Sequence, residues 1–260
     1  MAKNTAAPLV KEEVVPVTDE KPTGSLVTAD QMWEQLESAE HDESVAEGGV
    51  PYVGFYSEKS KPHVSDPMKA AGAPVDTFYL DNGVKVPLIP FKYLLLDSAR
   101  YFTKVDNQNK VLAAYKEDPN EAKFSEHGLA AIIVILNGQY FPATAQFRGG
   151  QFRCLAAARK MQLLARKEPE KFAAQGEAWK VAITAPPPVR FIVTASAQLT
   201  KSTTSGNDFI KGFATAVAPK IDEVNSFIAA SKDPKFMAGV NAAIGAFTRR
   251  KQAIEKLLPR

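Results

Sequence analysis

LAAIIVIL (residues 129–136), then Asn137-Gly138, then YFPATAQFR (residues 140–148) decide the architecture of this chain. The first run is eight apolar residues with no polar face, the pattern of a central strand covered on both sides. Asn-Gly accepts the positive φ that a tight hairpin turn requires. The returning run alternates: Phe141, Ala143, Ala145 and Phe147 point one way, and Tyr140, Thr144, Gln146 and Arg148 the other. That second face is either a binding surface or an ordinary wet face. GGQFRCLAAARKMQLLARK (residues 149–167) follows and predicts a helix over about 151–168. At 100° per residue, Cys154, Ala157, Ala158, Met161, Leu164 and Ala165 fall on one apolar arc. Arg153, Arg159, Lys160, Arg166 and Lys167 occupy the opposite arc, with Phe152 and Leu163 among them.

Working outward, strands are expected at Pro51–Tyr56 and on either side of Asp81-Asn82-Gly83, a second hairpin signal. Phe91 to Val105 is long for one strand, and its alternation breaks near Asp97-Ser98, which predicts a bulge. A polar turn at 106–109 should return through 110–115. Pro119 to Glu126 is expected as a short helix, Trp179 to Thr184 as a short strand, and Pro186-Pro187-Pro188 as an extended connection. Val189 to Thr200 alternates most regularly, and Phe209 to Val217 is expected to return as an edge strand. From Pro219 onward the period is helical: Ile221, Val224, Phe227 and Ile228 form one stripe, and Val240, Ile244, Phe247, Ile254 and Leu258 a second, interrupted by Lys251. The second stripe either packs on its own domain or self-associates, so a homo-oligomer through the C-terminal helix is one partner expectation.

The 260 residues carry a net charge of +3, which conceals an asymmetry. Residues 1 to 50 hold eleven acidic and three basic side chains, a net of −8; the rest hold eighteen and twenty-nine, a net of +11. An acidic arm (residues 1–49), a basic strand-rich core (50–217) and a helical extension (218–260) follow from this division. Within the arm Thr28, Met32, Trp33 and Leu36 suggest one short helix, a candidate docking element for a protein partner. The basic core attracts polyanions. The longest apolar run is far short of the ~20 residues that span a bilayer, so no membrane partner is expected. The first 25 residues lack an apolar signal region, and one cysteine cannot form an internal disulfide; both point to the cytoplasm.

Catalytic chemistry finds little support. His41, His63 and His127 are far apart and none sits at metal-ligand spacing from a cysteine, so no metal or other cofactor is expected. Cys154 lies on the apolar arc and reads as inert core. No nucleophile elbow or dinucleotide fingerprint occurs, and Lys201-Ser-Thr-Thr-Ser-Gly-Asn207 lacks the spacing of a phosphate-binding P-loop. The protein is therefore read as a non-enzyme. Aromatic and basic residues do alternate, at Phe91-Lys92-Tyr93 and at Arg100-Tyr101-Phe102-Thr103-Lys104. Single-stranded nucleic acid is held by such sets: bases stack on rings while cations follow phosphates. Half or more of the rings should be core, with Tyr101 and Tyr140 the most exposed.

The core, residues 50–217, resembles the single-stranded DNA-binding proteins encoded by bacteriophages. The likeness rests on an antiparallel strand-rich body with Tyr101, Phe102, Tyr140 and Arg148 on strands, a lone long helix, and an acidic arm joined to a basic body. In that family the acidic arm is usually C-terminal; here it is N-terminal. The resemblance implies an OB-type barrel that coats single strands during replication or recombination, without turnover chemistry, in the host cytoplasm.

The expected fold is thus α+β: an antiparallel sheet or partly closed OB-like barrel with one embedded helix and a helical C-terminal extension. The expected function is sequence-tolerant binding of single-stranded nucleic acid, probed at Phe91, Lys92, Tyr101, Lys104, Tyr140, Arg148, Arg153, Lys160 and Arg190. The alternative is a structural or assembly protein, such as a virion component, whose terminal arms make protein contacts.

Overall fold

A computed structural model describes residues 49–58, 60–105, 111–120, 124–201 and 208–259. The arm helix around Met32, the turn at 106–109 and most of the Ser/Thr loop at 201–207 lie outside the described residues. In chain order the strands are β1 (Tyr52–Tyr56), β2 (Thr77–Asp81), β3 (Lys85–Pro87), β4 (Phe91–Val105), β5 (Val111–Tyr115), β6 (Ser125–Leu136), β7 (Gln139–Arg148), β8 (Ile192–Lys201) and β9 (Asp208–Val217). The helices are α1 (Pro62–Ala70), α2 (Phe152–Lys167), α3 (Pro169–Ala173), α4 (Glu177–Ala182), α5 (Ile221–Ser231) and α6 (Pro234–Glu255).

These strands form one open, strongly curled sheet, a half-barrel, in the order β3-β2-β1-β7-β6-β4-β8-β9, with β5 also beside β4. All pairings are antiparallel except the short β1–β7 contact. The Asn137-Gly138 hairpin joins the two central strands, with Leu136 opposite Gln139 and His127 opposite Arg148. On β6, Leu129 through Val134 are all buried, as expected of a strand covered on both faces.

Each face has its own core. One gathers Ala130, Ile132 and Val134 of β6 with Ala143, Ala145 and Phe147 of β7 beneath Phe152, Leu155, Ala158 and Met161 of α2. Gly128 makes this approach possible, because an added Cβ would lie 2.5 Å from Leu155 Cδ2. The other face gathers Leu129, Ala131 and Ile133 beneath Val224 and Phe227 of α5 and Val240, Ile244, Phe247 and Ile254 of α6. The apolar stripe of α6 is therefore buried against the sheet. Its Gly239, a weak helix former, sits where a Cβ would lie 3.3 Å from Pro142 Cγ, so close packing on β7 offsets the propensity cost of about 1 kcal/mol.

The bulge in β4 falls between Leu95, opposite Ile132, and Asp97, opposite Ala131. The extra residue is Leu96. It exchanges the faces: Phe91, Tyr93 and Leu95 belong to the α2 core, whereas Ala99 and Tyr101 belong to the α6 core.

Three local expectations are corrected. Residues 177–182 are the helix α4 rather than a strand, since Trp179, Ala182 and Ile183 share an i, i+3, i+4 side and Trp179 packs edge-to-face on Phe172 at 5.0 Å. Among the described residues of 119–126 none is helical: Asn120 has φ 56°, and Ser125 and Glu126 already pair with Thr103 and Phe102. The proline triplet leads into a buried 3-10 turn, Pro187–Val189, not a continuous extended run.

Candidate functional site

The curl of the sheet leaves one seam open. β1 and β7 run parallel and pair at only two positions, Tyr52 with Thr144 and Val53 with Ala145. Beyond Val53 the strands have no ladder between them, and a cleft of about 940 Å³ opens there, bordered by Gly54 and Phe55 on one side and Gln146 and Arg148 on the other. It is further lined by Gly149, Gly150 and Gln151, by Val75, Asp76, Leu199 and Ile210, and by Arg250 of α6. Asp76 joins the β2 side of the sheet to β8, since its Oδ2 accepts the Leu199 amide at 2.9 Å. It does so from a left-handed backbone, φ 62°, a conformation that costs on the order of 1 kcal/mol for a non-glycine residue.

Two guanidinium groups reach this cleft from different elements. Arg250 Nη1 donates to Thr144 Oγ1 at 3.4 Å, and Arg148 Nη2 donates to Gln146 Oε1 at 3.3 Å. Burial lowers the pKa of Arg148 from its ordinary value. The 3-10 turn Gly149–Gln151 runs straight into α2, whose N-terminus has no side-chain cap. Its first amides and the positive end of a 16-residue helix thus lie beside the two arginines, an arrangement that favours anions. Glu58 and Asp76 are the carboxylates of the lining.

Behind Arg148, across the β6–β7 ladder, His127 is 1% exposed. Its Nδ1 lies 3.3 Å from Thr103 Oγ1. The Gln146 amide is near enough to act on the ring but closes no hydrogen bond to Nε2, which has no partner among the described residues. Burial, and then the charge of Arg148, push the imidazole pKa down to about 4. The ring is therefore neutral at pH 7, and Arg148 keeps its charge with no second cation behind it.

The nine sequence candidates do not gather in one trough. Phe91 is buried, stacked on Tyr93 at 5.1 Å and tilted against Phe78 at 4.9 Å. Tyr101, expected among the most exposed rings, is 2% exposed, and its hydroxyl donates to Glu255 Oε1 at 3.0 Å. Tyr140 is half-buried: its hydroxyl donates to the Glu223 carbonyl at 3.0 Å, and its ring packs edge-to-face on Phe227 at 5.6 Å. All three rings are corrected from base platforms to core or cover contacts: Phe91 lies in the α2 core, whereas α6 covers Tyr101 and α5 covers Tyr140 on the other face.

Lys92 and Lys104 are half-buried, on opposite faces, and about 40 Å apart along β4 at about 3.3 Å per residue. Arg153 and Lys160 are exposed on α2, about 10 Å apart along its axis. Arg190 is half-buried and donates through Nε to the Ala185 carbonyl at 3.1 Å, bracing the proline turn. Only Arg148 lines the cleft.

Sequence reading missed Tyr52, Arg250 and the amides of 149–151 as cleft components. Arg148-Gly149-Gly150 was the available signal, since a glycine pair at a strand-to-helix junction exposes backbone amides. Nothing local marks Arg250, whose place depends on how α6 crosses the sheet.

Cys154 is buried, as its apolar arc predicted, with its thiol 3.3 Å from the Ser196 carbonyl; burial pushes its pKa up to about 12, which makes it a poor nucleophile. Among the described residues no group of three or more His, Cys, Asp or Glu converges to hold a metal. No helix there is long and apolar enough to cross a membrane. Comparison with known proteins finds no matching family model, curated protein or solved structure.

Proposed function

We propose that this chain binds single-stranded nucleic acid, DNA by its resemblance to the phage proteins, with little sequence preference and no turnover chemistry, in replication or recombination. The observation that carries the reading is the cleft between β1 and β7, where Arg148, Arg250 and the uncapped start of α2 converge beside the half-exposed Tyr52. The positive charge of these groups attracts a phosphodiester, and the Tyr52 ring, 38% exposed, offers a stacking surface. The exposed cations Arg153 and Lys160 extend the positive surface from the same helix start. Buried Phe91 and Tyr101 take no part. A partly closed OB-type barrel is the finer fold that goes with this reading, with the Asp76–Leu199 contact drawing the two sides of the sheet together. Action in the host cytoplasm belongs to the same proposal.

The test is a fluorescence anisotropy titration of a labelled oligothymidylate at about 50 and about 200 mM salt. Affinity should fall steeply with salt and drop in Arg250→Ala. No binding at the lower salt, or affinity indifferent to both changes, defeats the reading.

One observation favours the assembly alternative. β9 is a ten-residue edge strand with Phe213 and Val217 more than 40% exposed and no strand on its outer side among the described residues. Long uncovered edges pair readily with other chains. Light scattering that shows large assemblies, together with absence of oligonucleotide binding, selects that reading.

A further inference from the structure

The β1–β7 cleft is not cationic throughout. Its lining also holds two carboxylates, Asp76 and Glu58, and only Asp76 is held by a hydrogen bond among the described residues. Short steps relate Asp76 to the cationic part. The Gln151 carbonyl lies 3.0 Å from where a Cβ on Gly212 would be. Ile210, two residues back along β9, is about 7 Å from Gly212 and pairs with Leu199 of β8. The Leu199 amide in turn donates to Asp76 Oδ2 at 2.9 Å. The start of α2 and the Asp76 carboxylate are therefore roughly 10–15 Å apart across one opening. Val75 and Leu199, both more than 40% exposed, form an apolar wall beside Asp76.

Only one of the two Asp76 carboxylate oxygens is committed. Oδ2 holds the Leu199 amide, whereas Oδ1 accepts no hydrogen bond and the group joins no ion pair among the described residues. The residue sits at φ 62°, a backbone that glycine adopts without strain, and an asparagine would accept the same amide. Neither would bring a charged acceptor to the cleft. A carboxylate repels a phosphodiester but accepts strongly from N–H groups. In an unpaired strand those donors belong to the bases: cytosine and adenine carry an amino group where thymine and uracil carry a carbonyl. A phosphate on the α2 amides leaves a base to lie against Val75 and Leu199, with its polar edge toward Asp76.

We propose that Asp76 is a specificity-determining residue of the cleft, accepting through Oδ1 from the exocyclic amino group of cytosine or adenine and disfavouring thymine and uracil. This rests on nucleic-acid binding in the cleft. It adds a modest preference at one base to a grip that phosphate contacts otherwise make sequence-tolerant.

Fluorescence anisotropy of the full chain with two labelled homopolymers of equal length, an oligodeoxycytidylate and an oligodeoxyuridylate, tests this. Their bases differ only in the edge offered to Asp76. The parent should bind the cytidylate about fivefold more tightly. Asp76→Asn keeps an acceptor for the Leu199 amide but turns an amide NH2 toward the cleft, so the ratio should fall to one or reverse. Asp76→Gly, which suits the backbone and removes the carboxylate, should show no preference. Equal affinity of the parent for the two homopolymers overturns the proposal without any variant, and so does a preference that survives Asp76→Asn. If the parent binds both equally and Arg250→Ala weakens both, the cleft reading stands and this one falls. If neither homopolymer binds, the cleft reading itself has failed and takes this one with it.

Discussion

Tyr140 and Arg148 stand at opposite ends of one face of β7, and the chain treats them oppositely. Tyr140 ends beneath α5, hydrogen-bonded to the Glu223 carbonyl and packed on Phe227. Arg148 opens into the cleft, past the point where β1 leaves β7. By alternation alone the two are equivalent polar-face positions. The difference teaches that a strand's outward face becomes a binding surface only where no later element covers it. Here the C-terminal helices cover the hairpin end and leave the far end open.

The largest effect should come from breaking the cover. Phe227 is 1% exposed, so Phe227→Ala should cost about 3–5 kcal/mol, read as a lower urea midpoint, while oligonucleotide affinity of the folded fraction stays the same. If binding strengthens instead, the covered end was a masked surface and the contrast between the two ends fails.

Next is the histidine behind the open end. In the folded state the His127 pKa is about 4 against 6.5 in an unfolded chain, so below pH 6.5 the unfolded state takes up a proton that the native state refuses. Stability contributed by the neutral ring is fully present above pH 6.5 and is lost as pH falls toward 4. The loss amounts to about 3 kcal/mol at 1.36 kcal/mol per unit. Denaturation curves between those limits should show that slope in the parent and lose most of it in His127→Gln; equal slopes would remove His127 from the account.

Tyr140→Phe sharpens the comparison from the covered end. Removing one hydroxyl bonded to a carbonyl should cost about 1 kcal/mol and leave binding unchanged, whereas a base-stacking residue would show the reverse. The smallest change in stability is expected at the open end. Arg250→Ala should alter stability by less than about 0.5 kcal/mol. It should still reduce the slope of log affinity against log salt by about 0.7, the loss of one phosphate contact on a single strand.

Much of the fold was legible because its signals are local. The Asn137-Gly138 turn, the unbroken apolar run of β6, the break in β4 beside Asp97 and the two-faced α2 all appear where periodicity placed them. Trp179 to Thr184 reads as a strand because six residues with Trp, Val and Ile satisfy a strand's preferences as well as one turn and a half of helix. The site was far less legible. Rings and cations alternate along β4, yet alternation sorts them onto two faces that are both buried, so Phe91 and Tyr101 serve separate cores instead of one platform. Arg153 and Lys160 were readable as exposed because α2 has only one packed side.

By itself the sequence determined which side of each element is apolar, where the chain turns, and that a basic body of about 210 residues follows an acidic arm. Local sterics and hydrophobic periodicity are sufficient for that. Only the tertiary structure decided which polar faces meet water. The partners that cover or open β7 are distant in the chain: Glu223 is 83 residues from Tyr140, and Arg250 is 106 from Thr144. No window along the sequence contains both members of such a pair, and their meeting is a property of how two helices close over one side of a curled sheet.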